Sequence, residues 1–288
     1  MTTKTWIDGT GDWNTASDWN PAGVPGPGDD AVIPSGTVSL TTPVTVGSIS
    51  LTTSSATLGI DGSGLTDTVT GGFNNSGTVN FDTASSGGTL TLGGTLTNSS
   101  LGIFRIGNTN LSAGSTVTAA GFSSSGHLDI EGSTSAQATL DIMGPAPATL
   151  TGAVNLIQSA LLEFASGSIT AIGNGAALNI QGTQAHLAIQ GNTGSNSALT
   201  QLSSNAGFLS LVLGASVITD AGVDFASSGT VQLIGGALTL GGALTNNGDF
   251  VVQADPSLGV ASVTAASFSN GGIFDVLSPN ASFGPPPV

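Results

Sequence analysis

Along most of the chain, apolar side chains alternate with Thr, Asn, Asp or Gln for four or five positions and then yield to a small polar cluster ending in Gly. A period of two places successive side chains on opposite faces of a strand, one toward a core and one toward water. The unit recurs as Phe73-Asn-Asn-Ser-Gly-Thr-Val-Asn-Phe81, Phe122-Ser-Ser-Ser-Gly-His-Leu-Asp-Ile130, Phe225-Ala-Ser-Ser-Gly-Thr-Val-Gln-Leu233 and Phe268-Ser-Asn-Gly-Gly-Ile-Phe-Asp-Val276. Weaker copies lie between them: Val79-Asn-Phe81, Phe104-Arg-Ile106, Leu128-Asp-Ile130 and Val154-Asn-Leu156 follow one another every 24 to 26 positions. A longer duplication carries Leu90-Thr-Leu-Gly-Gly-Thr-Leu-Thr-Asn98 into Leu238-Thr-Leu-Gly-Gly-Ala-Leu-Thr-Asn246.

A fixed period of this length is that of one solenoid coil, which buries its apolar face only against its neighbours. The pattern therefore predicts an all-β chain folded as a single-domain parallel β-helix, or β-solenoid, over residues 36–277. Gly at the corners is expected to supply backbone angles that other residues reach only with strain. A β-sandwich is the alternative; it shares the short alternating strands but does not require one coil to resemble the next. With strands ~4.8 Å apart, about ten or eleven coils make a rod on the order of 50 Å long.

Residues 1–35 do not repeat. They hold all three tryptophans, Trp6, Trp13 and Trp19, interleaved with Asp8, Asp12, Asp18, Asp29 and Asp30. A solenoid exposes an apolar cross-section at its ends, so the indoles are expected to plug the first coil as a cap or interface. Two alternatives stay open: a platform on which sugar rings stack, and a calcium site built from the five carboxylates. At the other end, residues 278–288 form a proline-rich tail that can blunt the last strand edge, because proline lacks the ladder N–H.

Composition removes several classes of function. Two Lys+Arg stand against 17 Asp+Glu, for a net charge of −15. Nucleic-acid binding, which rests on clustered basic residues, is excluded, and so is attraction to anionic lipid. No apolar run reaches the ~18 residues of a membrane helix, so no membrane insertion is expected, and the first residues lack the apolar stretch of a signal peptide. With no Cys, there are no disulfides or thiolate metal sites. No cofactor is expected beyond the calcium candidate.

The one compact ionisable cluster is His127-Leu-Asp-Ile-Glu131. With Leu128 and Ile130 inward, His127, Asp129 and Glu131 share an outer face. Aligning coils places Asn80, Arg105, Asp129 and Asn155 in one outer column. An exposed ion pair between coils is the plain reading; general acid and base chemistry on a polysaccharide is the catalytic alternative. No catalytic residue is assigned, and the chain is not expected to be an enzyme. His186 lacks acidic sequence neighbours and is expected to be an ordinary surface residue. Outward Thr residues are scattered among Asn, Gln and Asp, so an ordered ice-binding Thr array is not expected.

The opening Trp6-Ile-Asp-Gly-Thr-Gly-Asp-Trp-Asn-Thr-Ala-Ser-Asp-Trp19, the stretch Gly23-Val-Pro-Gly-Pro-Gly-Asp-Asp-Ala-Val-Ile33 and the Leu-Thr-Asn-x-Gly coil at Leu244 to Gly248 resemble repetitive bacterial surface proteins, the haemagglutinin-like adhesins and autotransporter passengers. The resemblance implies a β-helix at the cell surface or outside the cell, acting in adhesion or as a structural matrix. Its partners are then further copies of the chain, as a homo-oligomer or filament, or surface and matrix glycans. A carbohydrate-binding or polysaccharide-cleaving β-helix is the alternative function.

Overall fold

The computed structural model describes residues 2–83, 86–254 and 258–277. Its parallel sheets stack as a β-solenoid of about 11 turns. The sandwich alternative fails on direction, since nearly every strand pair is parallel, as coils wound in one sense require.

One sheet runs the whole length, with 12 strands in chain order from Thr10–Asp12 to Ile273–Leu277. A second sheet begins at Trp19–Asn20, which lies antiparallel to Thr3–Trp6, and ends at His186–Ile189. Toward the C-terminal end two further sheets form the other faces, one from Thr149–Leu150 to Ser267–Asn270 and one from Ser216–Ile218 to Ser262–Thr264. The non-repeating N-terminal segment is laid on the same stack: Thr3–Trp6 pairs with Asp30–Ile33, and Thr10–Asp12 with Gly36–Leu40. Residues 278–288, the proline-rich tail, lie outside the described residues.

The core is a set of inward columns. In the full-length sheet Val38, Leu58, Val79, Phe104, Leu128 and Val154 stack one per coil, and all are buried. Full burial of each such side chain contributes about 1.5–3 kcal/mol. Coil length varies more than the sequence spacing implies. Thr230 stacks on Asp249, 19 positions on, whereas Ala177 stacks on Phe208, 31 positions on.

The long coil has a structural use. Its extra residues include the 3-10 turn Ser197–Leu199, which closes the edge of the second sheet. Asn196 Oδ1 accepts the Leu187 N–H at 2.7 Å and Ser197 Oγ accepts the Ile189 N–H at 2.8 Å, satisfying donors that no further strand reaches.

Corner glycines serve in two ways, and those that follow the Phe-led units do not use positive φ. Gly77, Gly102, Gly126, Gly207, Gly229 and Gly248 are absent from the positive-φ positions among the described residues. What they permit is close approach: a Cβ on Gly126 would overlap the carbonyl oxygens of Ser99 and Gly102, and one on Gly248 that of Gly229. Other corners do need the left-handed backbone that was expected, as at Gly36 with φ 85° and Gly182 with φ 108°.

Candidate functional site

Four places carry the side chains with chemistry: the N-terminal cap, the outer column around Arg105, the interior corner, and a hydroxyl-lined outer face.

In the cap all three indoles are buried, at 2% exposure for Trp6, 0% for Trp13 and 1% for Trp19. Trp19 packs edge-on against both others, with ring centroids 5.2 Å from Trp6 and 4.9 Å from Trp13. Its Nε1 donates to the Trp13 carbonyl at 2.8 Å. Buried rings offer no face to a sugar, so the stacking platform does not form. The five carboxylates are spent separately. Asp8 accepts from Gly9 N, Asp12 from Asn14 N and Thr41 Oγ1, Asp18 from Ser17 Oγ, Asp29 from Thr2 N and Gly26 N, and Asp30 from Ser48 Oγ. The Asn14 N–H is the main reason the Asp12 carboxyl sits below its ordinary range. Among the described residues no three His, Asp or Glu side chains gather as metal ligands, so the structure does not bring the calcium candidates together.

In the outer column Asn80 stacks on Arg105, Arg105 on Asp129, and Asp129 on Asn155. Arg105 Nε lies 3.5 Å from Asp129 Oδ2, and Asn155 Nδ2 donates to Asp129 Oδ1 at 2.6 Å. Arg105 Nη1 also donates to Asn80 Oδ1 at 3.4 Å. Asp129 is thus held between a cation and an amide. Glu131, two positions along, is pushed up from the ordinary carboxyl range, first by burial and then by Asp129, with Arg105 opposing. His127 projects to solvent beside them. The column continues through Asn179, Ser210 and Gln232 as an uncharged polar row.

The interior corner was not foreseen as a site of polar chemistry. Asn75, Asn98, Asn205 and Asn246 are inward and at most 2% exposed. Each amide bridges coils: Asn75 Nδ2 donates to Asn98 Oδ1 at 2.9 Å and to the Ile103 carbonyl at 3.0 Å, and Asn98 Nδ2 to the His127 carbonyl at 2.8 Å. Asn246 repeats the arrangement with Asn270 Oδ1 at 2.8 Å and the Ile273 carbonyl at 2.7 Å. The duplicated segments ending at Asn98 and Asn246 therefore place the same residue in the same role. Two buried carboxylates were also missed. Asp82 accepts from Ser86 N, Gly87 N and Ser115 Oγ. Asp67 accepts from Val44 N at 3.0 Å, and burial raises its carboxyl above the ordinary range.

The hydroxyl face corrects the expectation of scattered threonines. Thr66, Thr89, Thr116 and Thr139 stack in one outward column, and Thr45, Thr68, Thr91 and Thr118 in the column beside it. Along each strand the inward residue between the two is Asp67, Leu90, Val117 or Leu140. Successive rows lie ~4.8 Å apart, and the two columns are separated by ~6.7 Å. Apart from Thr139, which reaches Gln137 at 3.5 Å, none of these hydroxyls bonds to another described residue. The Thr-x-Thr signal is present in the sequence at 66–68, 89–91 and 116–118, but uneven coil lengths hide its register.

Beyond the threonines the same columns turn acidic and apolar. Thr118 stacks on Asp141 and Asp141 on Glu163, whose carboxyl is raised by burial and by Asp141. His186 follows Leu161 and is half-buried, with Nδ1 unpartnered and its pKa lowered by burial, so it is not an ordinary surface residue.

Compared with protein-family models, curated proteins and solved structures, the chain gives no significant match.

Proposed function

We propose that the protein is a structural and adhesive module, a stiff β-solenoid that works by presenting its outer faces to a surface or matrix and by associating with copies of itself. One observation carries this reading: five consecutive coils array eight threonines in two adjacent columns, seven of them with hydroxyls that have no partner among the described residues. A regular, uncharged row of donors and acceptors suits an ordered, neutral, hydroxyl-bearing partner such as a matrix glycan. The interior supports it, because amides bridging coils at the corner stiffen the rod that holds the face. The resemblance of Trp6 to Trp19 to bacterial surface proteins supports an extracellular or cell-surface setting.

The alternative, a polysaccharide-active β-helix, would centre on Asp129 and Glu131. The experiment incubates the protein with a panel of soluble and insoluble glycans, reading retention on the solid and release of new chain ends. Retention without cleavage is expected. Cleavage abolished by Asp129→Asn or Glu131→Gln would replace this reading with the enzymatic one. Thermal hysteresis without glycan retention would reassign the threonine face to ice.

A further inference from the structure

We infer that the last described coil is an interface through which two copies of this chain dock tail to tail about a two-fold axis. The inference rests on the self-association in the proposed function, and adds its face, partner and symmetry.

The register identifies core positions that have lost their cover. Phe225, Leu244 and Phe268 stack in one inward column, but their exposure is 1%, 2% and 50%. In a second inward column Leu233 is 0%, Val252 8% and Val276 69% exposed. Phe274 packs on Phe250 and Phe268, at 5.3 and 4.8 Å between ring centroids. Leu244, Val263, Ala265, Ser267, Phe268 and Phe274 line an open apolar cleft of about 280 Å³ at this end.

The strands Ser262–Thr264, Ser267–Asn270 and Ile273–Leu277 each end a sheet here. Where the second sheet stops inside the molecule, Asn196 and Ser197 satisfy its edge donors. Among the described residues no side chain does so for these three strands. Asn270, the last rung of the corner ladder, turns its amide to Gly272 of its own coil. Open parallel edges of this kind invite pairing with another chain.

A second copy fits in charge, size and symmetry. In a chain of net charge −15, residues 258–277 carry one charged side chain, Asp275, so two such ends meet with little repulsion. A coil spans 24 positions, since Asp249 stacks on Ile273. That supplies the roughly 20–30 residues a side of a standard stable interface. Residues 278–288 include four prolines, which bring no ladder N–H. Among the described residues the opposite end is built differently: its three indoles are buried, and Trp19–Asn20 lies antiparallel on Thr3–Trp6. One sticky end per molecule gives a closed isologous pair, whereas a filament needs two. Across a two-fold axis the meeting edges run antiparallel, the arrangement with perpendicular hydrogen bonds.

The test uses the full chain, whose lack of cysteine allows single spin labels at Ser267→Cys in the last coil or Thr15→Cys in the cap. Sedimentation is expected to show a dimer, with a short intermolecular distance for the Ser267 label and none for the Thr15 label. Phe268→Glu with Val276→Lys is expected to raise the dimer Kd at least tenfold, with circular dichroism unchanged. If that variant fails to fold, the wild-type mass and the label distances still decide. A short distance only in a mixture of the two labelled proteins means head-to-tail stacking and overturns the inference. So does a full chain that stays monomeric, including the case where only a chain ending at Leu277 dimerises, which assigns the face to residues 278–288. Monomers that still bind glycan as rods sink the interface alone; loss of glycan retention in an intact dimer sinks the adhesive reading alone.

Discussion

Asn75 donates from Nδ2 to Asn98 Oδ1, 2.9 Å away and one coil further along, with both side chains sealed from solvent. Such a bond ties coils together inside the rod, where water cannot substitute for either partner. Removing one partner leaves the other unsatisfied. Asn98→Leu is accordingly expected to lower stability by about 2–3 kcal/mol, although leucine is apolar, and urea unfolding monitored by circular dichroism measures it.

Corner glycines separate close approach from backbone freedom. Gly126→Ala places a methyl against the Ser99 and Gly102 carbonyls, whereas at Gly59 the nearest atom to a new Cβ is 3.9 Å away. Gly126→Ala is expected to cost at least about 2 kcal/mol through forced overpacking. Gly59→Ala, within a strand, is expected to be neutral or to stabilise by about 0.4–1 kcal/mol. Thermal unfolding of the two variants side by side provides the check.

The Arg105–Asp129 pair is 41% exposed on the arginine side and 16% on the aspartate side. Arg105→Gln is expected to change stability by less than about 1 kcal/mol, and the change should shrink as salt is added. A larger effect, independent of salt, would mean that the column does more than pair charges.

Three carboxyls, Asp67, Glu131 and Glu163, are raised by burial. A group whose folded pKa exceeds its unfolded value favours the fold when protonated, so its stabilising contribution is full below the unfolded value and is lost as pH rises through the folded one. For these groups the loss begins above the ordinary values of 3.8 for Asp67 and 4.5 for the two glutamates. The melting temperature is expected to rise when a neutral sample is moderately acidified. Asp67→Asn keeps an acceptor for Val44 N and should stabilise the neutral sample while flattening that rise.

The rod itself was legible because inward columns such as Val79, Phe104 and Leu128 recur at nearly constant spacing. Period-two alternation likewise sufficed to put Arg105 beside Asp129 on the outer face. What stayed hidden depends on register across unequal coils. Thr89 and Thr116 are 27 positions apart, Thr66 and Thr89 only 23, and nothing local says that they stack. The corner amides were hidden for another reason: asparagine beside serine and glycine is also the composition of a solvated turn. Only the three-dimensional path shows that Asn75 and Asn246 point inward.

The central claim is that the paired threonine columns are the working face of a stiff adhesive rod. Retention of wild type and of Thr91→Lys with Thr116→Lys on insoluble matrix glycans tests it most directly. Both substitutions lie on outward positions, so the fold should persist by circular dichroism. The expected result is retention by wild type and at least a tenfold loss in the variant. Equal retention of the two proteins, or none by wild type on any glycan surface, would contradict the claim.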